Sequence, residues 1–313
     1  MKQPLIIITG PTAVGKTEAS ILLAKKINGE IISADSMQVY KGMDIGTAKI
    51  TKEEMMGVPH HLIDILSPEQ DFNVYTFQQL AKAAVDDICS RGKIPILTGG
   101  TGFYIQALLY GISFKEEANT YRLELEKLLE EKGNLYLHAM LEEVDSASAN
   151  IIHPNNVKRV IRALEFYQET GEPISKHNET ERQKESQFQS AYFVLNMPRE
   201  QLYERINLRI DKMLADGLVQ EVTALKEMGL KRDMTSMQGI GYKEVLDYLN
   251  GETSYEEMVY LLKRDTRHFA KRQITWFKRE KDVIWMDKTK YQNSLELSED
   301  LVQISKEKLQ IEQ

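Results

Sequence analysis

Apolar and polar positions along the chain fall into two kinds of run. Short apolar stretches with little alternation occupy residues 5–9, 30–35, 94–98, 191–195 and 283–287, and a weaker one lies at 58–64. Rich in Ile, Val and Leu, they predict strands covered on both faces, as in a parallel sheet. Longer stretches with apolar residues three and four apart predict helices at 18–27, 76–91, 103–109, 200–228 and 255–279. Strand and helix alternating in this way predict an α/β fold. From Phe114 the pattern changes to helical stretches at 121–129, 135–141 and 157–167, followed by a polar separator at 177–187. The chain therefore reads as an α/β core, residues 1–113 and 189–313, with a parallel sheet flanked by helices and a helical insertion at 114–188. The tail from Lys288 is polar and reads as fraying or ending in a helix.

Composition narrows the picture only a little. Charged residues at 28% and apolar ones at 42% describe an ordinary soluble domain. A net charge of −7 excludes a chain coated in basic charge for indiscriminate nucleic-acid binding, so a polyanion must meet local cations. The single cysteine, Cys89, excludes a disulfide framework and fits a reducing cytoplasm. No apolar stretch approaches membrane-spanning length, so no membrane partner is expected.

The chemistry begins where the first strand ends. Gly10-Pro11-Thr12-Ala13-Val14-Gly15-Lys16-Thr17 lies between strand and helix and has the spelling of a phosphate-binding loop, giving a P-loop-type sheet. Glycines let the backbone curl its N–H groups toward phosphate oxygens, the helix N-terminus adds positive potential, Lys16 reaches a phosphate, and the Thr17 hydroxyl sits on Mg²⁺. The second strand delivers Asp35 to the same sheet edge, where ligands of open α/β sheets bind. It is the candidate for proton chemistry, with a turn- or helix-capping aspartate as the alternative. A second glycine-rich strand end, Gly99-Gly100-Thr101-Gly102, offers the Thr101 hydroxyl to a ligand, compatible with a helix cap. That strand lacks the acidic residue of many P-loop hydrolases, which weakens a plain ATPase or GTPase reading.

Other segments leave two readings open. Residues 41–49 are a glycine-spaced loop with two lysines, either covering a substrate or lying on the surface. His60 and His61 point to opposite sides of an extended backbone, which favours packing or hydrogen bonding over a shared metal. Lys158, Arg159 and Arg162 suit phosphate contacts or a solvated helix face. Arg205, Arg209 and Lys212 share a helix face, and Arg264, Arg267 and Lys271 form a stripe that would suit a nucleic-acid backbone.

Together, residues 10–17, Asp35-Ser36-Met37-Gln38-Val39-Tyr40, Gly99-Gly100-Thr101-Gly102-Phe103-Tyr104, His153-Pro154-Asn155-Asn156 and residues 159–165 resemble the tRNA dimethylallyltransferases, also called tRNA isopentenyltransferases. The segments at 238–243 and 267–276 also look like that family. The likeness is to its compact bacterial form, which lacks the C-terminal zinc finger of some eukaryotic members. It implies transfer of a dimethylallyl group from dimethylallyl diphosphate to N6 of the adenosine 3′ of the anticodon, with Mg²⁺. It makes Gly10, Thr12, Ala13, Val14, Gly15, Lys16 and Thr17 the diphosphate grip, assisted by Arg209 with Arg205 as the alternative. Asp35 becomes the general base and Thr101 the residue orienting the adenine amine. Ser36, Met37 and Gln38 contact the flipped nucleotide. The insertion grips the tRNA anticodon stem-loop through Arg122, Lys158, Arg159, Val160, Ile161 and Arg162. Two rivals share the loop: a P-loop nucleoside or nucleotide kinase using Mg-ATP, and a non-catalytic RNA-binding protein with a nucleotide switch.

Overall fold

The structure, a computed structural model, describes residues 2–114 and 120–310. It divides into two compact units, Met1–Gly111 with Ser186–Gln313, and Ile112–Glu185.

The first unit is built on strands β1 (Pro4–Thr9), β2 (Gly29–Ala34), β3 (His60–His61), β4 (Ile94–Gly99), β5 (Gln189–Asn196) and β6 (Val283–Asp287). They form one sheet in the order β3-β2-β4-β1-β5-β6, parallel throughout. Leu5 to Ile8 are fully buried in the inner strand β1, which is why that run shows no alternation. Helices α1 (Lys16–Ile27), α2 (Val74–Ser90) and α3 (Gly102–Tyr110) follow the early strands, α9 (Arg199–Ala215) and α10 (Leu218–Glu227) follow β5, and α11 (Tyr242–Leu249) and α12 (Tyr255–Phe277) precede β6. All the strands share one direction, so the loops after β1, β2, β4, β5 and β6 meet at a single carboxyl edge.

One expectation is corrected here, and of the two readings of the tail the helix is the one observed. The helix expected over 200–228 is two helices, because the chain turns at Gly217 with φ 105°, left-handed backbone that glycine adopts without strain. The polar tail is a packed element: α13 (Ser294–Leu309) buries Leu297, Leu301 and Leu309 against the rest of the core. Its start is fixed by Asn293, whose side chain accepts from Leu295 N and Glu296 N, both at 3.0 Å.

The second unit holds α4 (Thr120–Lys132), α5 (Asn134–Val144), α6 (Ser146–Ala149), α7 (Val157–Thr170) and α8 (Ile174–Gln183) around its own core of Leu125, Leu137, Leu141, Val160, Ile161 and Leu164. The expected polar separator is helical in its first part. Buried Asp145 holds α8 by accepting from Ser175 N at 2.9 Å while it caps α6 through Ser148 N at 3.0 Å. Among the described residues no helix is long and apolar enough to cross a membrane.

Candidate active site at the carboxyl edge of the sheet

The phosphate loop leaves β1 through Gly10, whose φ of 142° and contact with the Leu195 carbonyl leave no room for a Cβ. Gly15, at φ 97°, begins α1 with no side-chain cap, so the first-turn N–H groups stay open toward a ligand. Val14 is fully buried and Ala13 nearly so, which confines both to backbone contacts. The Lys16 ammonium folds back onto the loop and donates to Gly10 O at 3.0 Å and Pro11 O at 2.9 Å. Burial, reinforced by neighbouring Arg209 and opposed by Asp35, brings its pKa down to about 7.

Helix α9 brings two further cations to this loop. Arg205 donates from Nε to Ala13 O at 2.9 Å. Arg209 is half-buried beside Asp35, with its guanidinium pKa lowered by burial and by Arg205. The structure thus brings both alternatives to the site, whereas Lys212 turns to solvent and pairs with Asp216 at 2.9 Å. The Thr17 hydroxyl is exposed and without a hydrogen bond among the described residues, which also contain no group of three His, Cys, Asp or Glu able to hold a metal ion. That donor set would suit Mg²⁺ held jointly by one hydroxyl, phosphate oxygens and water, not a metal in an all-protein cage.

Asp35 follows the last residue of β2. Its Oδ1 accepts from Met37 N at 2.8 Å and Gln38 N at 3.3 Å, so the capping role is real for one oxygen. Oδ2 has no hydrogen-bond partner among the described residues. Thr101 stands at the start of α3 without a side-chain cap; its carbonyl accepts from Tyr104 N, and its N–H donates to Ala34 O at 3.3 Å. The Thr101 hydroxyl is therefore unspent, on a residue whose N–H is bonded to Ala34, the neighbour of Asp35.

The sequence reading gave no role to Gln273, on α12. This buried amide accepts from Thr12 N at 2.8 Å and donates to Gly100 O at 3.0 Å, stitching the two glycine loops together. A Cβ on Gly100 would strike it, and one on Gly102 would strike the Trp276 indole. The Thr12 N–H, expected on a phosphate, is thus already taken. Its 261-residue separation from Gln273 left no local signal.

The residues after Asp35 are supported from below. Gln38 Nε2 donates to Thr47 O at 3.2 Å, and a Cβ on Gly239 would sit 2.9 Å from Met37 Sδ; Ser36 is half-buried beside them. The loop at 41–49 is pinned: Glu221 accepts from the N–H groups of Asp44, Ile45 and Gly46 at 2.7–3.0 Å and from the Tyr242 hydroxyl at 2.7 Å. Lys49 is spent on Tyr40 O, Asp44 and Asp64. His60 bonds Val58 O and His61 bonds Glu30, each at 2.8 Å, which bears out the hydrogen-bonding reading.

In the second unit Val160 and Ile161 are 1% and 5% exposed, so the expected RNA contact fails for their side chains, which belong to the core. Arg122 and Arg162 share the fully buried Glu165 carboxylate, at 3.3 and 3.1 Å. Lys158 and Arg159 are exposed, with no hydrogen bond or ion pair among the described residues. In the first unit the α12 stripe is partly consumed, Arg264 by Asp265 and Arg267 by Asn207, leaving Lys271 exposed.

Comparison with known proteins bears on this arrangement. The family model described as IPP transferase matches residues 38–280. A tRNA dimethylallyltransferase of Lachnoclostridium phytofermentans is 61% identical over 308 residues, 98% of each chain. Among solved structures, the tRNA delta(2)-isopentenylpyrophosphate transferase of Staphylococcus epidermidis is 47% identical with TM-score 0.72, covering 96% of this chain and 98% of that one. A eukaryotic dimethylallyltransferase acting on tRNA is 34% identical with TM-score 0.78, over 91% of this chain and 74% of its own. With a carboxylate and a phosphate loop at one sheet edge, and relatives of this identity along nearly the whole chain, the protein belongs to the tRNA dimethylallyltransferase family.

Proposed function

We propose that the chain transfers a dimethylallyl group from dimethylallyl diphosphate to N6 of the adenosine 3′ of the anticodon in tRNA. The observation that carries this reading is the pairing, at the loop, of open N–H groups and cations bonded to no carboxylate among the described residues with the free oxygen of Asp35 beside them.

In the reaction the allylic C–O bond breaks, the C–N6 bond forms, one amine proton is released and diphosphate departs. Lys16, Arg209, Arg205 and the N–H groups opening α1 meet the charge that grows on the leaving group. The Thr17 hydroxyl would hold Mg²⁺, which would supply Lewis-acid stabilisation of that charge. Asp35 Oδ2 takes the proton as the C–N bond forms, which suits a weakly nucleophilic exocyclic amine. The Thr101 hydroxyl orients the amine, and Ser36, Met37 and Gln38 line the place of a base that has left the stack. Lys158 and Arg159 supply RNA phosphate contacts from the insertion, with Arg122 and Arg162 held ready by Glu165. A cytoplasmic setting fits the single thiol and the tRNA substrate.

The relatives' names favour alkyl transfer over the kinase reading. Isotope-labelled dimethylallyl diphosphate with unmodified tRNA is the test: label is expected as N6-dimethylallyladenosine beside the anticodon. Phosphate transfer from ATP with no label in RNA would overturn the proposal.

A further inference from the structure

We propose that Lys288 is a fourth cationic ligand of the donor diphosphate, closing the phosphate loop from the side opposite Asp35 and also holding the inorganic diphosphate released by transfer. The inference rests on the function proposed above. Strand β6 ends at Asp287, in register with Asn196 of β5, so the next residue emerges at the carboxyl edge. Its backbone is fixed there by Asp287, whose side chain accepts from Thr289 N at 3.0 Å and from the Thr289 hydroxyl at 2.7 Å.

From that position the side chain turns to the loop and away from water. A Cβ built on Gly15 would lie 2.5 Å from Lys288 Nζ and 3.9 Å from Arg205 Nη2, so two cations converge on the residue that opens α1. The half-buried Lys288 ammonium makes no hydrogen bond or ion pair among the described residues. The acid near enough to be felt is Glu18, and one of its oxygens already accepts from the Ser294 hydroxyl at 2.7 Å. A lysine with freedom to choose keeps its ammonium in water or on a carboxylate. This one is held against a second cation and the positive end of a helix, an arrangement that repels itself until an anion lies between the charges. The anion that loop and helix select is a phosphate group.

Calorimetric titration of the full chain with inorganic diphosphate tests this, using the parent and the variants Lys288→Met, Lys288→Ala and Lys288→Arg. Met keeps the apolar stem, so a packing role alone leaves that variant unchanged. Loss of one charge-assisted hydrogen bond predicts diphosphate binding weakened about 10- to 100-fold in Lys288→Met and Lys288→Ala, largely restored by Lys288→Arg, with the KM for tRNA unmoved. A Lys288→Met protein that binds diphosphate within about twofold of the parent overturns the inference and leaves the proposed function standing. An unchanged diphosphate affinity with a raised KM for tRNA overturns it too, because Lys288 would then serve the RNA. A parent that transfers no label and binds no diphosphate removes both proposals together.

Discussion

The two ends of the sheet treat charge in opposite ways. At the amino edge one buried carboxylate, Glu30, is met by Arg91 through two bonds of 2.5 and 2.7 Å, by Lys93 at 2.6 Å and by His61 at 2.8 Å. The Arg91 bonds lead the effects that hold its carboxyl far below the usual range. At the carboxyl edge Lys16, Arg205, Arg209 and Lys288 gather with no carboxylate hydrogen-bonded to any of them among the described residues. A saturated cluster stabilises the fold as it stands. An unsaturated one leaves its stabilisation to a ligand, and that asymmetry separates scaffold from site.

The largest effect belongs to the carboxyl edge. Asp35→Asn, which keeps an oxygen for the Met37 and Gln38 N–H groups, is expected to lower transfer by about 10²- to 10⁴-fold while thermal stability and tRNA affinity stay near the parent's. Lost RNA binding with normal turnover per bound RNA would remove Asp35 from the chemistry.

The next effect is read in protons. With the Lys16 pKa near 7, the ligand-free loop sheds a charge above neutrality, and a bound diphosphate restores it. Proton uptake on diphosphate binding near pH 8, measured calorimetrically in buffers of different ionisation enthalpy, should exceed that of Lys16→Arg by close to one proton; equal uptake would mean Lys16 is not the group meeting the anion. The unfolded chain keeps that proton up to an ordinary lysine pKa of 10.5, so between about 7 and 10.5 the unfolded state binds more protons. Ligand-free stability should therefore rise with pH across that window.

Glu30→Ala should act on the scaffold alone. It leaves two cations facing a buried carboxylate's empty place, at a cost of about 2–4 kcal/mol in urea unfolding, below the full range for a buried pair because Arg91 and Lys93 are part-exposed. Glu30 has a depressed pKa, so its contribution is present above the ordinary carboxylate value and fades as pH falls below it; the variant should show a shallower acid decline. Transfer per folded molecule should not change, and a change would blur the division between the two edges. The smallest effect lies in the second unit: Lys158→Ala and Arg159→Ala should each lower the salt slope of tRNA binding by about one with donor affinity untouched.

What could be read from the sequence followed how local each cause is. The loop at 10–17 carries its geometry in eight consecutive residues, and Asp35 needed only the end of its strand. Gln273, Glu221 and Lys288 act on residues far away in the chain, and no spacing announces such partners. Lys288 would have emerged had the strand-end argument been applied to residues 283–287 as it was to 94–98. The expectation for residues 158–162 erred by treating a contiguous stretch as one surface, although helical period puts Lys158 and Arg159 outside and Val160 and Ile161 inside. Fraying stayed open beside a helix for the tail because Ser298 and Ser305 share the buried face of α13 with the leucines.

The packing of α13 on α1, fastened by Ser294 on Glu18, bears on how the molecule is made. The ribosome delivers Thr12 of the phosphate loop 261 residues before Gln273, the amide that accepts its N–H. Strand β1 can pair with β4 once Gly99 is made, but its other neighbour, β5, begins only at Gln189. A nascent chain thus carries the loop without Gln273 while all of residues 112–185 is made. Vectorial synthesis finishes the phosphate loop only after the second unit is made.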